Sequence, residues 1–280
     1  MNAIEIRGLE KRYAGFDLKL DLDLPQGCIL GLVGENGAGK TTTIKAILGM
    51  LRPDAGTVRV LGKDNRGDFA PVREEIGVVL DEPGFPQCVT AEQLGKILAG
   101  IFRSWDAAVY AEYLRRLAIP MGKKFQDFSR GMKMKLAIAA ALSHHPKLLV
   151  LDEPTSGLDP VVRDEVVEIF SDFTRDEEHA VLISSHIVSD LEKLCDYIAF
   201  LHQGRLLLCE EKDALREEYG LVQLSKTDFA ALNAAAVIGS RSTPYGVSAI
   251  VRRDALPAGL PVEPVSIEDL FVLMVKGEEA

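Results

Sequence analysis

The chain has 280 residues, 47% of them hydrophobic and 26% charged, so it can bury a sizeable core without disulfides or structural metals. Its net charge of -10 argues against nucleic acid as the main partner, because nucleic acid and anionic lipid surfaces both need a basic footprint. The four cysteines lack the close spacing of a metal site and are typical of a reducing compartment. There is no signal-peptide pattern, and the longest apolar runs are too short to span a bilayer.

In chain order, short apolar segments alternate with helical patterns. Residues 4–6 and 16–24 predict antiparallel strands, residues 28–33 predict a buried strand, and residues 42–51 predict a helix. Further strands are predicted at 57–61, 76–80, 148–151 and 180–184, further helices at 161–174 and 188–194, and a hairpin turning at Gln203-Gly204. Between 91 and 142 the pattern is helical with a break near 120–128. This order predicts an α/β fold with a largely parallel sheet and helices on both faces.

The composition changes after about Tyr219, where short strand-like segments are separated by Gly and Pro. We therefore expect a main domain over residues 1–219, with a helical lobe at about 85–145, and a small α+β accessory domain over residues 220–280. Ser266 precedes Asp269 by three residues, which resembles a capping box at the start of a last helix.

A phosphate-binding pattern, G-x-x-x-x-G-K-[ST], lies between a predicted strand and a predicted helix. Its residues, with the threonine that follows, are Gly34, Glu35, Asn36, Gly37, Ala38, Gly39, Lys40, Thr41 and Thr42. The glycines let the backbone curl so that N–H groups point at a polyphosphate, and the positive end of the following helix adds to that field. We expect Lys40 to reach the β- and γ-phosphates of ATP and the Thr41 hydroxyl to ligate Mg²⁺.

Two carboxylates follow the apolar strand at residues 148–151. A buried strand would deliver Asp152 and Glu153 rigidly to the carboxyl edge of the sheet, where ligands bind in open α/β folds. We expect Asp152 to face Mg²⁺ and Glu153 to polarise an attacking water. Taken alone, the pattern also fits an ordinary strand followed by a helix cap.

These motifs together resemble the ABC ATPase family, over about residues 3–215. The phosphate loop, Asp152-Glu153, the Ser156–Asp159 segment (SGLD) and the Ser184–His186 segment (SSH) follow the order of that family. The FSRGM segment at 128–132 stands where the family has its LSGGQ signature. The stretches GENGAGKTTTIKAILG, FSRGMKMKLAIAAAL and SIEDLFVLMVKG resemble the bacterial bacitracin, lantibiotic and antimicrobial-peptide exporter group. The implied fold is a P-loop NTPase of ABC type with an antiparallel β subdomain.

The resemblance implies a role for five further residues. Tyr13 corresponds to the aromatic that stacks on adenine, although a surface aromatic in a turn is the alternative. His186 corresponds to the histidine that contacts the γ-phosphate and the Glu153 region, although such a histidine is more often structural. Asp159 corresponds to the residue linking two sites across a dimer, and it also suits a helix N-cap before a proline. Ser129 and Gly131 would contact ATP bound to a second subunit.

The implied function is an ATP-hydrolysing subunit of an ABC transporter. It would form a dimer around ATP, expected to be a homodimer, and drive a separate transmembrane permease from the cytoplasmic, inner face of the cell membrane. The expected cargo is a peptide or similar amphipathic compound, and no nucleic acid partner is expected. Contact with the permease is expected through residues 85–128, with Phe85, Phe102 and Trp105 as candidates, although core packing is the alternative for each. The alternatives are a non-transport ABC protein and an ATP-binding regulator.

Two departures from the family pattern affect the site. Asp81-Glu82 follows the strand at 76–80 where the family has a glutamine that ligates Mg²⁺. Asp81 is therefore a candidate metal ligand, with Glu82 and a plain solvated acidic turn as alternatives. The signature carries Arg130 and Met132 in place of Gly and Gln, which could slow turnover.

Overall fold

The structure is a computed structural model, and it describes residues 1–257 and 259–276. The strands are β1 (Asn2–Tyr13), β2 (Phe16–Pro25), β3 (Ile29–Gly34), β4 (Ala55–Val60), β5 (Lys63–Asp64), β6 (Ile76–Val79), β7 (Leu148–Asp152), β8 (Ala180–Ser185), β9 (Tyr197–His202), β10 (Arg205–Glu211), β11 (Tyr219–Leu224), β12 (Val237–Thr243) and β13 (Gly246–Arg252). The helices are α1 (Lys40–Ile47), α2 (Ala70–Arg73), α3 (Ala91–Ala99), α4 (Ala107–Arg116), α5 (Arg130–Leu142), α6 (Pro160–Phe173), α7 (Val188–Leu194), α8 (Lys212–Glu218), α9 (Lys226–Ala230) and α10 (Ile267–Lys276).

The main sheet combines a parallel and an antiparallel part. In the described residues its order is β5-β4-β1-β2-β10-β9-β3-β8-β7-β6. Strands β9, β3, β8, β7 and β6 run parallel to one another, whereas β1 pairs antiparallel with both β2 and β4. The predicted α/β architecture with an antiparallel subdomain is confirmed, and the predicted hairpin is the β9–β10 pair, with positive φ at Gln203 and Gly204.

The central parallel strands are buried on both faces, which explains their continuous apolar sequence. All six residues of β3 are buried. Its alternate side chains enter two different hydrophobic clusters: Ile29 and Val33 pack with the helical lobe and α7, whereas Leu30 and Leu32 pack with α1 and the antiparallel strands. This double burial fixes β3, and with it the loop that follows, relative to β7 and β8.

The helical lobe contains one more break than its sequence pattern suggests. The predicted helical stretch from 91 to 142 consists of α3, α4 and α5, and the chain is also non-helical between α3 and α4. Asp106 begins α4, because its carboxylate accepts hydrogen bonds from the N–H groups of Ala108 and Val109. The predicted break near 120–128 is present and includes a short 3₁₀ turn at Phe125–Asp127.

The segment after β10 forms a second, antiparallel sheet, with the order β11-β13-β12, and ends in α10. Ser266 accepts a hydrogen bond from the N–H of Asp269, but the Asp269 carboxylate accepts from the Ser266 hydroxyl and does not complete a capping box. Helix α10 packs on the main domain, where Phe271 meets Phe200 of β9 edge-on at 5.1 Å between ring centroids. Residues 258 and 277–280 of the predicted accessory domain lie outside the described residues.

Across the described ranges, no helix combines the length and hydrophobicity that crossing a lipid bilayer requires.

The contact between Phe271 and Phe200 predicts that the C-terminal segment stabilises the main domain. Phe271 is 8% exposed, so Phe271→Ala should lower the free energy of unfolding by about 3 kcal/mol through lost burial and a cavity. Urea unfolding, followed by tryptophan fluorescence and circular dichroism, measures this. Tyr245→Ala is the control, because Tyr245 is 98% exposed and its loss should change stability by less than about 0.5 kcal/mol. An unchanged transition in the Phe271 variant would contradict the prediction.

Candidate nucleotide-binding site

A cavity of 300 Å³ opens beside the loop between β3 and α1, at the carboxyl edge of the parallel strands. Such edges are where ligands bind in open α/β sheets. Its walls come from the antiparallel strands, the phosphate loop, the start of α1 and the ends of β6 and β7. The lining residues are Tyr13, Phe16, Glu35, Asn36, Gly37, Gly39, Lys40, Thr41, Thr42, Asp81 and Glu153.

The phosphate loop owes its shape to glycines. Gly37 and Gly39 have φ angles of 84° and 112°, in the region that disfavours side chains. Gly34 lies so close to β9 that a Cβ there would be 2.5 Å from the carbonyl oxygen of Leu201. Ala38 is buried beneath the loop. The N–H groups at the start of α1 have no partner one turn earlier in the helix, so they can serve an anion.

Lys40 is almost fully buried and is held by three oxygen atoms. Its Nζ donates to the carbonyl oxygens of Gly34 at 2.7 Å and Glu35 at 3.3 Å. It also lies 3.4 Å from Oε1 of Glu153. The ammonium group is therefore fixed between the loop and the carboxylate that follows β7, at the wall of the cavity.

Thr41 and Asp152 meet as the sequence predicts for a metal site. The Thr41 hydroxyl donates to Oδ2 of Asp152 at 2.9 Å, and the Ser184 hydroxyl donates to Oδ1 of Asp152 at 2.6 Å. A hydroxyl and a carboxylate are hard oxygen donors of the kind Mg²⁺ binds, together with substrate phosphates. These two side chains therefore fit a magnesium ion that is shared with a bound nucleotide.

Glu153 and His186 form a direct contact. Nδ1 of His186 lies 2.7 Å from Oε2 of Glu153, and the His186 backbone N–H donates to the same oxygen at 3.3 Å. The backbone N–H of Glu153 donates to the carbonyl oxygen of Ser184 at 3.1 Å. Glu153 has a positive φ of 52°, a strained conformation for a residue with a side chain, and such strain is concentrated at functional sites.

Tyr13 and Phe16 supply an aromatic wall. Their ring centroids are 6.4 Å apart with an interplanar angle of 33°, and both rings line the cavity. Tyr13 is 47% exposed, so part of its ring is accessible to a ligand, and the Lys11 ammonium lies over the ring at 5.8 Å from its centroid. Stacking on adenine by Tyr13 stays a prediction.

Three predicted ATP contacts lie away from this cavity. Ser129 is the N-cap of α5 and accepts from the N–H of Met132 at 3.3 Å. Asp159 is the N-cap of α6, as predicted alongside its role between two sites, and accepts from the N–H of Val162 at 3.1 Å. Gly131 lies in the first turn of α5, against Leu158. This chain alone therefore does not bring Ser129, Gly131 and Asp159 to the nucleotide cavity.

Of the two acidic residues after β6, only Asp81 lines the cavity, and Glu82 is exposed. Oδ1 of Asp81 lies 2.7 Å from Nη2 of Arg130. Ligation of Mg²⁺ by Asp81 stays a prediction, and so does the alternative with Glu82.

Known proteins share this arrangement of motifs. The family model described as "ABC transporter" matches residues 18–156. The bacitracin transport ATP-binding protein BcrA of Enterococcus faecalis is 36% identical over 208 residues, which cover 73% of this chain and 68% of that protein. The lantibiotic transport ATP-binding protein SrtF of Streptococcus pyogenes is 33% identical over 215 residues, covering 75% of this chain and 91% of that protein. This chain belongs to the ABC transporter family, as one of its ATPase subunits.

The solved structures agree with the fold of this ABC ATPase. One described as an ATP binding subunit of an ABC transporter aligns with a TM-score of 0.68 at 27% identity, covering 76% of this chain and 92% of that chain. The predicted P-loop fold of ABC type is therefore confirmed.

Two residues of the ABC ATPase site were not singled out from its sequence. Ser184 orients Asp152, and the signal was available, because Ser184 ends a predicted strand and stands two residues before His186. Phe16 forms the aromatic wall together with Tyr13. The sequence did not reveal this, because Phe16 begins an alternating strand pattern in which an apolar residue is expected to belong to the core.

Gly39 and Gly37 of the ABC ATPase make a matched pair for testing the loop geometry. A Cβ on Gly39 would lie 2.9 Å from Cδ1 of Leu18, whereas a Cβ on Gly37 would have no described atom within 4 Å. Both alanines are strained by positive φ, at about 1 kcal/mol, but Gly39→Ala adds a clash of about 1 to 3 kcal/mol. We expect Gly39→Ala to lose more ATP affinity and more stability than Gly37→Ala. Calorimetric ATP titration and urea unfolding measure both, and equal losses would contradict the clash.

Proposed function

We propose that this ABC ATPase binds ATP with Mg²⁺ in the 300 Å³ cavity and uses Glu153 to hydrolyse it. Hydrolysis would drive a separate membrane permease that exports peptides or similar amphipathic compounds. The observation that carries the proposal is the position of the Glu153 carboxylate, within 3.4 Å of Lys40 and 2.7 Å of His186, beside the phosphate loop.

Binding of ATP depends on groups that are already in place. The loop N–H groups and the start of α1 offer hydrogen bonds and positive potential to the phosphates. The Lys40 ammonium lies beside the same loop. On ATP binding it would contact the β- and γ-phosphates and give up part of its contact with Glu153. The half-exposed ring of Tyr13 would stack on adenine.

Thr41 and Asp152 would hold Mg²⁺, with Ser184 fixing the orientation of the Asp152 carboxylate. When bound, the ion would neutralise phosphate charge as the γ-phosphoryl group transfers to water. Asp81, which lines the same cavity, is the additional candidate ligand.

The chemical step needs a water molecule held in line with the γ-phosphate. Glu153 would accept a hydrogen bond from that water and take its proton as the water oxygen attacks phosphorus and the bond to the β-phosphate oxygen breaks. His186 would keep the carboxylate aimed, since its Nδ1 and backbone N–H both face Oε2. Lys40 would stabilise the negative charge that the phosphates carry in the transition state.

We further propose a second copy of the chain as the partner that completes each site. Ser129, Gly131 and Asp159 lie at the starts of α5 and α6, away from the chain's own cavity. A phosphate loop covers one side of a triphosphate, and helix N-termini from a second subunit suit the side that remains.

Glu153→Gln tests the catalytic assignment. The amide keeps the shape but cannot take a proton, so we expect ATP to bind while phosphate release falls by about 100-fold or more. ATP should then trap a dimer, measured by size-exclusion chromatography with light scattering. Glu178→Gln is the control. Because the Glu178 side chain is 73% exposed, this variant should hydrolyse ATP at the wild-type rate. Turnover by the Glu153 variant at the wild-type rate would overturn the role.

A groove beside the helical lobe is the proposed permease contact. It has a volume of 690 Å³, and its apolar lining includes Phe85, Ile101 and Phe102. Ile101 is 63% exposed, which is unusual for a large hydrophobic residue bordering a groove. Phe102 stacks on His144 at 4.1 Å between ring centroids, and burial lowers the pKa of His144, so the ring is neutral near pH 7. Trp105, by contrast, packs against Tyr110.

The proposed occupant is an apolar cytoplasmic segment of the permease. The support is membership of the ABC transporter family together with the exposed apolar groove. Peptide-like cargo is proposed because relatives are named for bacitracin and lantibiotic transport. The place of action would then be the inner face of the cell membrane.

Ile101→Glu tests the docking surface in native cells. We expect the variant to leave the membrane fraction, because a carboxylate opposes burial against an apolar segment, while its basal ATPase rate persists. Tyr245→Glu, on the exposed C-terminal hairpin, should remain with membranes. If only the Tyr245 variant leaves the membrane fraction, the permease contact lies on the C-terminal segment and not on the groove. A wild-type chain that stays in the soluble fraction would favour a non-transport ABC protein.

A further inference from the structure

The two departures from the family's sequence pattern contact each other. Arg130 stands in the signature segment and Asp81 follows β6, and 2.7 Å separates Nη2 of Arg130 from Oδ1 of Asp81. The same guanidinium nitrogen lies 3.4 Å from the Ser156 hydroxyl. The stem of Arg130 lies over Gly157, where an added Cβ would be 3.3 Å from its Cδ. Two separate segments, one at Asp81 and one at Ser156-Gly157, therefore contact this side chain.

The nucleotide cavity has more acidic than basic lining residues, and the contact between Arg130 and Asp81 bears on that imbalance. Among the lining residues, Glu35, Asp81 and Glu153 are acidic and Lys40 is basic, although the expected ligand is a polyanion. Glu153 is paired with Lys40 and His186. Glu35 lies 3.7 Å from His202 and 3.5 Å from Lys276. For Asp81 the cationic partner is Arg130, which itself stands outside the lining.

We propose that Arg130 is a positioning residue for nucleotide binding that acts through Asp81. When no metal is bound, it neutralises the Asp81 carboxylate, so that an acidic residue can line the cavity of a polyanionic ligand. The proposal rests on the triphosphate occupying the cavity as described above. Both side chains are about half exposed, so the pair exchanges readily and is sensitive to salt.

A double-mutant cycle on ATP affinity tests the proposal. Dissociation constants for ATP in EDTA, at low ionic strength, are measured for wild type, Arg130→Gln, Asp81→Asn and the double variant. We expect Arg130→Gln to weaken binding by about three- to fivefold, because it leaves the Asp81 carboxylate unpaired beside the phosphates. Asp81→Asn should not weaken binding, and the double variant should bind as Asp81→Asn does.

Two further variants separate charge compensation from a structural role. Arg130→Lys keeps the charge and should recover most of the affinity. Arg115→Gln removes a more exposed ion pair with Glu112 on α4, away from the cavity, and should have no effect. The loss of affinity in Arg130→Gln should also shrink at high salt, and in separate turnover assays with Mg²⁺ it should appear in KM more than in kcat.

The same measurements separate failure of this proposal from failure of the site. If Arg130→Gln costs the same affinity in the Asp81→Asn background as it does in the wild type, the effects are independent and the pairing has no role in binding. Absence of ATP binding by the wild type would instead overturn the cavity as the nucleotide site, and this proposal with it.

Discussion

The fold converges on the contact among Lys40, Glu153 and His186. Each of these residues follows a different parallel strand, β3, β7 and β8, and these strands are adjacent in the order β3-β8-β7. The catalytic role proposed for Glu153 needs fixed neighbours, because a hydrogen bond of 2.7 Å tolerates little movement. Burial of the strands on both faces supplies that rigidity. Because the phosphate loop follows β3 directly, burial of β3 also fixes the start of the loop. The hydrophobic core thus sets the precision of a polar site at its edge.

Rigidity at this edge is accompanied by strain. Glu153 adopts a positive φ, and Gly37 and Gly39 adopt angles at which a side chain would be strained. These conformations persist because neighbouring strands and α1 constrain the backbone on either side. The helical lobe stands in contrast, since it consists of three helices joined by non-helical segments.

The sequence predicted those parts of the site that depend on local pattern. A strand, a glycine-rich turn and a helix are contiguous from Ile29 to Ile47, so the phosphate loop could be placed without tertiary information. The resemblance to ABC ATPases then placed Glu153 and His186 near each other. What could not be predicted depends on distant partners. Arg130 and Asp81 are 49 positions apart and neither has a special local pattern. The break before α4 was missed because Asp106 caps a helix inside an otherwise continuous helical pattern.

The packing of α10 has a consequence for how shortened forms of the chain behave. Phe271 covers Phe200, and Phe200 stands opposite Val33, the residue just before the phosphate loop, in the β3–β9 pair. Removing the C-terminal segment would therefore uncover an apolar face next to the strand that carries the loop. Such a fragment would tend to self-associate or bind chaperones, since large exposed apolar patches drive association. A low activity measured on such a fragment would therefore have to be separated from its poor solubility.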